Sequence, residues 1–341
     1  MKTHLLIART SVALLVLLCS IAQLRADITV RLSVKFILDN NGAFPPGTIG
    51  TNPGFQAEVD RGNVILAATG RGFQLQVVEY LAIRPAAPVG QPEGYWFSLD
   101  ARNNRATFEA AALADKTIWQ WNENALNIHV NGSGSGQCSF VGSGLSISLG
   151  DDIGAGTVLH EIGHFFNLRH THVGDNPDNP NPPVFTEADL ADGDGLTETA
   201  NDNPNITTKD QLCGALFNTT YSAATPQQRA VVDSTFENVM SYHNENILLP
   251  VQMDIWGRSA NGPRLFVCNG RTWFVAIGGA DGNPGNSAEA PFATISRALM
   301  SIGTTNDIIL ARSGTYNAPP GNVFNIPCTL RAAGGSVTVR R

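Results

Sequence analysis

Several things are scarce in this sequence, and each scarcity removes a class of protein. The strongest apolar run, Val12 to Leu18, falls well short of the ~20 residues a membrane-crossing helix needs, so no stable membrane span is expected. Lys and Arg number 22 against 29 Asp and Glu, a formal net charge of −7. No basic patch interrupts that balance, and such a surface repels phosphate backbones, which argues against nucleic acid as a partner. Cysteines are few, five in all, and too widely spaced for a zinc knuckle. No internal repeat is long enough to build a solenoid from end to end. What is plentiful is 34 Gly and 19 Pro, the composition of many turns and short strands. The 43% hydrophobic fraction suits globular folding, and 341 residues suggest two domains at roughly 150 residues each.

The N-terminus carries Lys2, His4 and Arg9, then Val12 to Leu18, then small residues at Ser20, Ala22 and Ala26. This is the pattern of a secretory signal peptide over residues 1–22, with cleavage as late as 26. A lipid anchor on Cys19 is disfavoured by Leu18, where such signals carry a small residue. An extracellular, periplasmic or cell-surface location follows. Without Cys19 an even set remains, Cys138, Cys213, Cys268 and Cys328, so disulfides are expected, although spacing does not choose among three connectivities.

Ile28 to Leu38 alternates apolar and polar residues as a half-buried strand does, and Phe73 to Ile83 reads as a second. Phe55 to Gly70 has helical spacing between them, and Arg105 to Leu113 is a short helix. Leu126 to Val130 and Leu145 to Leu149 are further strands, with a Gly/Ser turn over 132–136. Asp151 and Asp152 offer an N-cap to a helix from Ile153 to Asn167. Residues 175–205 are rich in Asp, Asn, Pro and Gly and read as irregular. Helices are predicted again over Pro226 to Glu237 and from Pro250. Composition shifts after Asn261-Gly262-Pro263, which divides the chain into residues 27–262 and 263–341. The first part is expected to be α/β, a twisted mixed sheet with a helix carrying the chemistry; the second is expected to be a small all-β segment.

Residues 160–170 read His-Glu-Ile-Gly-His-Phe-Phe-Asn-Leu-Arg-His. His160 and His164, four apart, share one helix face and can present imidazoles to one ion. A catalytic zinc takes three protein ligands and keeps one position open, and His170 can supply the third. His170 reaches the ion only if the chain turns sharply, which requires a residue tolerant of a left-handed conformation; Asn167 is such a residue. Glu161, beside the pair, is placed to act as general base toward a zinc-activated water. A bare His-Glu-x-x-His can also be two surface histidines on a helix. Four of the seven histidines fall between His160 and His172, however, and the third ligand stands at the offset the turn makes useful.

This motif resembles the metzincin metallopeptidases, whose signature adds a third histidine and a methionine turn. Asn238-Val-Met-Ser-Tyr242 is similar to that turn. The resemblance implies that Met240 floors the metal site and that Tyr242 binds zinc or steadies the transition state. It is strongest to the pappalysin branch, through His-Glu-Ile-Gly-His, Leu168-Arg-His-Thr171 and Gly193-Asp-Gly-Leu-Thr-Glu-Thr199, and covers roughly 28–262; that branch usually has Gly where this chain has Asn167. It also implies calcium near the acidic stretch, for which Asp175, Asp178, Asp192, Asp194 and Glu198 are oxygen ligands of the right type, without EF-hand spacing.

Residues 274–285, 290–299 and 308–316 resemble the opening coil of right-handed parallel β-helices of bacterial surface proteins. The stretch is shorter than the three or more repeats a solenoid needs, and reads as a truncated piece or a small docking module for glycan or a cell surface. The expected function is therefore a zinc endopeptidase acting on protein or peptide, with substrate pairing along the Leu145 to Leu149 strand if that strand is the sheet edge. The alternative is a surface binding protein whose metal site is structural or idle. His172 is expected to face solvent, and Asn131-Gly-Ser, Asn205-Ile-Thr and Asn218-Thr-Thr match glycosylation acceptors.

Overall fold

The computed structural model describes residues 28–138, 140–151, 153–172, 190–244, 246–260, 262–268, 272–285, 290–302, 307–317 and 328–340. Residues 1–22, expected to be a signal peptide, and Asp152, Asp175 and Asp178 lie outside them. The described chain is mixed α/β followed by a separate parallel sheet. No helix among the described residues is long and apolar enough to cross a membrane.

The chain enters through β1 (Ile28–Ile37), α1 (Asn52–Ala68) and β2 (Phe73–Ile83). Thr51 caps α1 by accepting from the Gly54 N–H, with Pro53 in the first turn, the arrangement that satisfies orphan helix donors. After α2 (Tyr95–Ser98) and α3 (Arg105–Ala114) come β3 (Leu126–Asn131), β4 (Gly136–Cys138) and β5 (Ser146–Gly150). The sheet order is β2-β1-β3-β5-β4. All pairs are parallel except β4 with β5. The Leu145–Leu149 strand is therefore interior, and the edge belongs to β4, too short at three residues to show a period in sequence.

Then follow α4 (Thr157–Phe165), α5 (Lys209–Phe217), α6 (Pro226–Phe236), α7 (Pro250–Ala260) and α8 (Leu265–Cys268). The helix expected from Ile153 starts later. Gly156, at φ 97°, sets its beginning without a side-chain cap, and Asp151 instead accepts from the Gly47 N–H at 2.5 Å. Capping boxes at Thr208/Gln211 and Thr225/Gln228 start α5 and α6.

The sheet's register sorts its residues by face. Val34, Ile128 and Ile147 stand level across three strands, and one residue further on so do Lys35, His129 and Ser148. The first set belongs to an apolar core with Val59 and Leu66 of α1, Leu159 and Ile162 of α4, and Met253 and Trp256 of α7. The second set is polar, and it too is buried, so β1 is covered on both faces rather than one. On that side Ser33 Oγ donates to Glu79 at 2.5 Å, Asn122 Nδ2 donates to the same oxygen at 2.8 Å, and Lys35 donates to Asn127. Burial pulls the Lys35 ammonium down to about 7, against the opposing charge of Glu79.

The C-terminal region holds β6 (Thr272–Val275), α9 (Ile295–Ser301), β7 (Ile308–Asn317) and β8 (Thr329–Arg340). Its strands pair in parallel in the order β6-β7-β8, as stacked coils require. Phe274, Ile308 and Leu310 pack with Val78 and Ala125 of the first region, and Arg331 reaches Glu79 at 3.1 Å. Val267 and Cys268 lie in the first core, so the change of packing partner follows the shift in composition by a few residues.

No disulfide joins Cys138, Cys213, Cys268 and Cys328, contrary to expectation. Cys213 lies in the cluster of α5 and α6 and Cys328 against the C-terminal one, while Cys138 and Cys268 belong to the first core. Asn131 is buried, and its Nδ2 donates to Trp96 and Leu99 carbonyls at 2.9 and 2.6 Å. It is thus no glycan acceptor in this fold.

Candidate metal centre

Helix α4 carries His160, Glu161 and His164, all buried. It ends in a Schellman turn: the Leu168 N–H reaches the Gly163 carbonyl at 3.0 Å and the Asn167 N–H reaches that of His164 at 2.8 Å, with Asn167 left-handed at φ 72°. That turn redirects the chain and brings His170 back over the helix. The Nε2 atoms of His160 and His164 each lie 2.9 Å from Nε2 of His170.

The tautomers follow from the outer hydrogen bonds. His160 Nδ1 meets the Val239 carbonyl at 2.6 Å and His164 Nδ1 meets the Leu168 carbonyl at 2.8 Å. A carbonyl only accepts, so each Nδ1 carries the proton and each Nε2 offers a lone pair. Burial, then the neighbouring imidazoles His160 and His172, hold His170 well below the usual histidine range, which keeps it neutral. Three imidazoles converging in this way fit one cation. Nitrogens 2.0–2.1 Å from a tetrahedral zinc stand about 3.3 Å apart, close to what is found. Among the described residues this is the one grouping of three or more metal-type ligands.

Below the ligands lies Met240, fully buried. A Cβ on Gly163 would stand 2.6 Å from its sulfur, so a larger residue there would push the Met240 side chain aside. Asn238 shapes the Met240 turn: its Oδ1 accepts from the Met240 N–H at 2.9 Å, and its amide pairs with Gln252 at 3.0 and 3.1 Å. Tyr242 is 45% exposed, its ring 4.7 Å from that of His170 and 4.5 Å from that of His172; the phenol thus stands at the mouth of the site. His172 is buried rather than solvent-facing, stacked on His170 at 4.7 Å and 15°, because the chain after His170 passes beneath Tyr242. A Cβ on Gly136 of the edge strand would stand 2.9 Å from Glu161 Oε1, which places the carboxylate against β4.

Among the described residues, Asp192, Asp194 and Glu198 form no group of three metal-type ligands. Asp192 accepts from the Gly195 N–H at 2.7 Å, and Asp194 accepts from the Leu196 N–H at 2.9 Å and from Thr199, local turns of the kind short acidic side chains make. Burial raises the Asp194 carboxyl to about 6. Glu198 lies beside Thr197 at 3.2 Å. Residues that sequence reading did not single out are Asn238, Gln252 and Asp202. Burial pushes the Asp202 carboxyl up, but the hydrogen bond and charge of His243 outweigh it and hold the group below its ordinary value.

A protein family of unknown function, DUF1565, matches residues 277–333, within the C-terminal sheet region. No curated protein matches the chain. A chain from a solved structure described as "Structure of a chaperone-substrate complex" is similar over 61% of this chain and 34% of that one, with 11% identity and a TM-score of 0.30. This chain thus spans about a third of that one's length.

Proposed function

We propose that the chain is a secreted zinc-dependent endopeptidase of metzincin type, with His160, His164 and His170 as ligands, Glu161 as general base and Tyr242 beside the reacting carbonyl. The observation that carries this reading is the convergence of three imidazole nitrogens, two with lone pairs fixed inward by backbone carbonyls, next to Glu161. A zinc ion bound there supplies Lewis acidity, polarising a carbonyl and lowering the pKa of water toward ~7. The Glu161 carboxylate takes a proton from the attacking water and returns it to the departing amine, so the peptide bond breaks without a covalent intermediate. The Tyr242 hydroxyl donates to the oxyanion as charge develops. A substrate backbone adds to the free side of β4, the edge of the sheet and the strand against which Glu161 rests. Secretion is supported by the charged, apolar and small-residue pattern of residues 1–22.

The test is casein digestion by the purified mature chain beside Glu161→Ala, with zinc measured in both. Cleavage by the parent and a loss of activity beyond about 100-fold in a fully zinc-loaded variant is the expected result. A parent that holds zinc and cleaves nothing across a broad peptide set overturns the peptidase reading in favour of a binding protein; one that holds no zinc overturns both.

A further inference from the structure

The ligand His170 and the phenol of Tyr242 sit on separate segments, and each is followed at once by a residue that donates to the same carboxylate. Thr171 Oγ1 donates to Asp202 Oδ2 at 2.6 Å, and His243 Nε2 meets Asp202 Oδ1 at 2.9 Å. The carboxylate is fully enclosed. The Asn203 N–H donates to it at 2.8 Å, and paired backbone bonds with Ala191 at 3.0 and 3.1 Å fix its own position. His243 lies flat on Phe236, 4.5 Å away at 5°, so its ring has one orientation in which to reach Asp202. On the other side of the ligand segment, a Cβ on Gly193 would stand 1.8 Å from the His172 carbonyl oxygen, so the loop leading to Asp202 also bears directly on the backbone after His170.

We infer that Asp202 is a positioning residue: it holds the His170 segment and the Tyr242 segment at a fixed separation, one carboxylate oxygen to each. The inference rests on the metallopeptidase reading for its effect on turnover, and on the metal site alone for its effect on ligand geometry. Asp202 touches neither metal nor substrate. It acts through Thr171 and His243, and partners at that remove from a metal ordinarily change affinity or activity by about 10- to 100-fold.

The experiment uses the full mature chain loaded with zinc, and separately with cobalt(II), whose visible spectrum reports ligand geometry. Asp202→Ala should lower kcat by about 10- to 100-fold with KM changed little, shift the cobalt bands and weaken zinc retention against a chelator. Asp202→Asn, which can still accept from His243 and donate to Thr171, should restore most of each readout. Thr171→Val with His243→Phe, which keep shape and remove one donor each, should together reproduce Asp202→Ala and serve in its place if that variant does not fold. Parent-like cobalt bands, zinc retention and kcat in the Thr171→Val/His243→Phe chain overturn the inference. If the parent cleaves no peptide, the spectrum and zinc retention still decide the role of Asp202, while the peptidase reading falls separately.

Discussion

On the face of the sheet that carries the helix of His160 and His164, Val34 of β1 stands beside Ile128 of β3 and Ile147 of β5; on the other face, one residue along, Lys35 stands beside His129 and Ser148. All six are buried to within 1%. The apolar side is held by non-directional contact, which tolerates small changes of shape and scales with area removed from water. The polar side is held by directional bonds whose partners are specific. Ser148 donates to the Ala101 carbonyl at 2.7 Å and Ser146 to Glu109 at 2.6 Å. Glu79 gathers Ser33, Asn122 and Arg331. Such groups are satisfied in one arrangement only, so this face fixes how the covering elements sit, including the C-terminal strand that carries Arg331. The helix carrying His160 and His164 rests on the forgiving side and the attachments of the second region on the exacting one.

The comparison can be broken most forcefully at Glu79. Glu79→Ala leaves Ser33, Asn122 and Arg331 facing a vacated acceptor, and the expected cost is about 3–5 kcal/mol by urea unfolding of the full chain. A cost below about 1 kcal/mol would mean that the polar face is incidental. A smaller effect of opposite sign is expected at His129. Neither of its ring nitrogens has a hydrogen-bond partner among the described residues, and Phe108 and Trp119 enclose it. His129→Leu should therefore stabilise by about 1–2 kcal/mol at pH 7.

That gain also depends on pH. Burial, then the charge of Lys35, holds His129 down to about 3 from an ordinary 6.5. Between those values the unfolded chain binds a proton that the folded chain refuses, so parental stability falls with acidification by up to about 1.4 kcal/mol per pH unit. The Leu variant lacks this slope, and its advantage should widen from pH 6.5 toward 3 in thermal melts; an advantage constant with pH would show that His129 already titrates normally. The smallest effect belongs to the apolar face, where Ile128→Val should cost about 1 kcal/mol in the same urea experiment. A cost as large as that of Glu79→Ala would erase the distinction between the faces.

Much of this was legible in the chain. Phe73–Ile83 forms a strand over the same residues its alternation predicts, and the helix after Thr51 carries the expected periodicity and a cap. The three histidines were readable because helical spacing and one left-handed asparagine are local geometry. The edge strand β4, the burial of His172 and the interior place of the Leu145–Leu149 segment were not, since a three-residue strand has no period and burial depends on what arrives from elsewhere. The acidic residues 192–198 suggested a cation; in the fold Asp192 and Asp194 accept from neighbouring backbone N–H groups.

The sequence by itself determined the pairing of His160 with His164, the turn at Asn167 and the alternation that gives the sheet two chemically opposite faces, because each depends on bond geometry within a few residues. Only the tertiary structure decided what met those features. A register shift in β2, where Leu32 faces Val77 but Ser33 faces Glu79, delivers the carboxylate to Ser33 and Arg331. Asp202 meets Thr171 and His243 from 31 and 41 residues away. Contacts at such separations follow from how finished elements pack, and no local propensity encodes them.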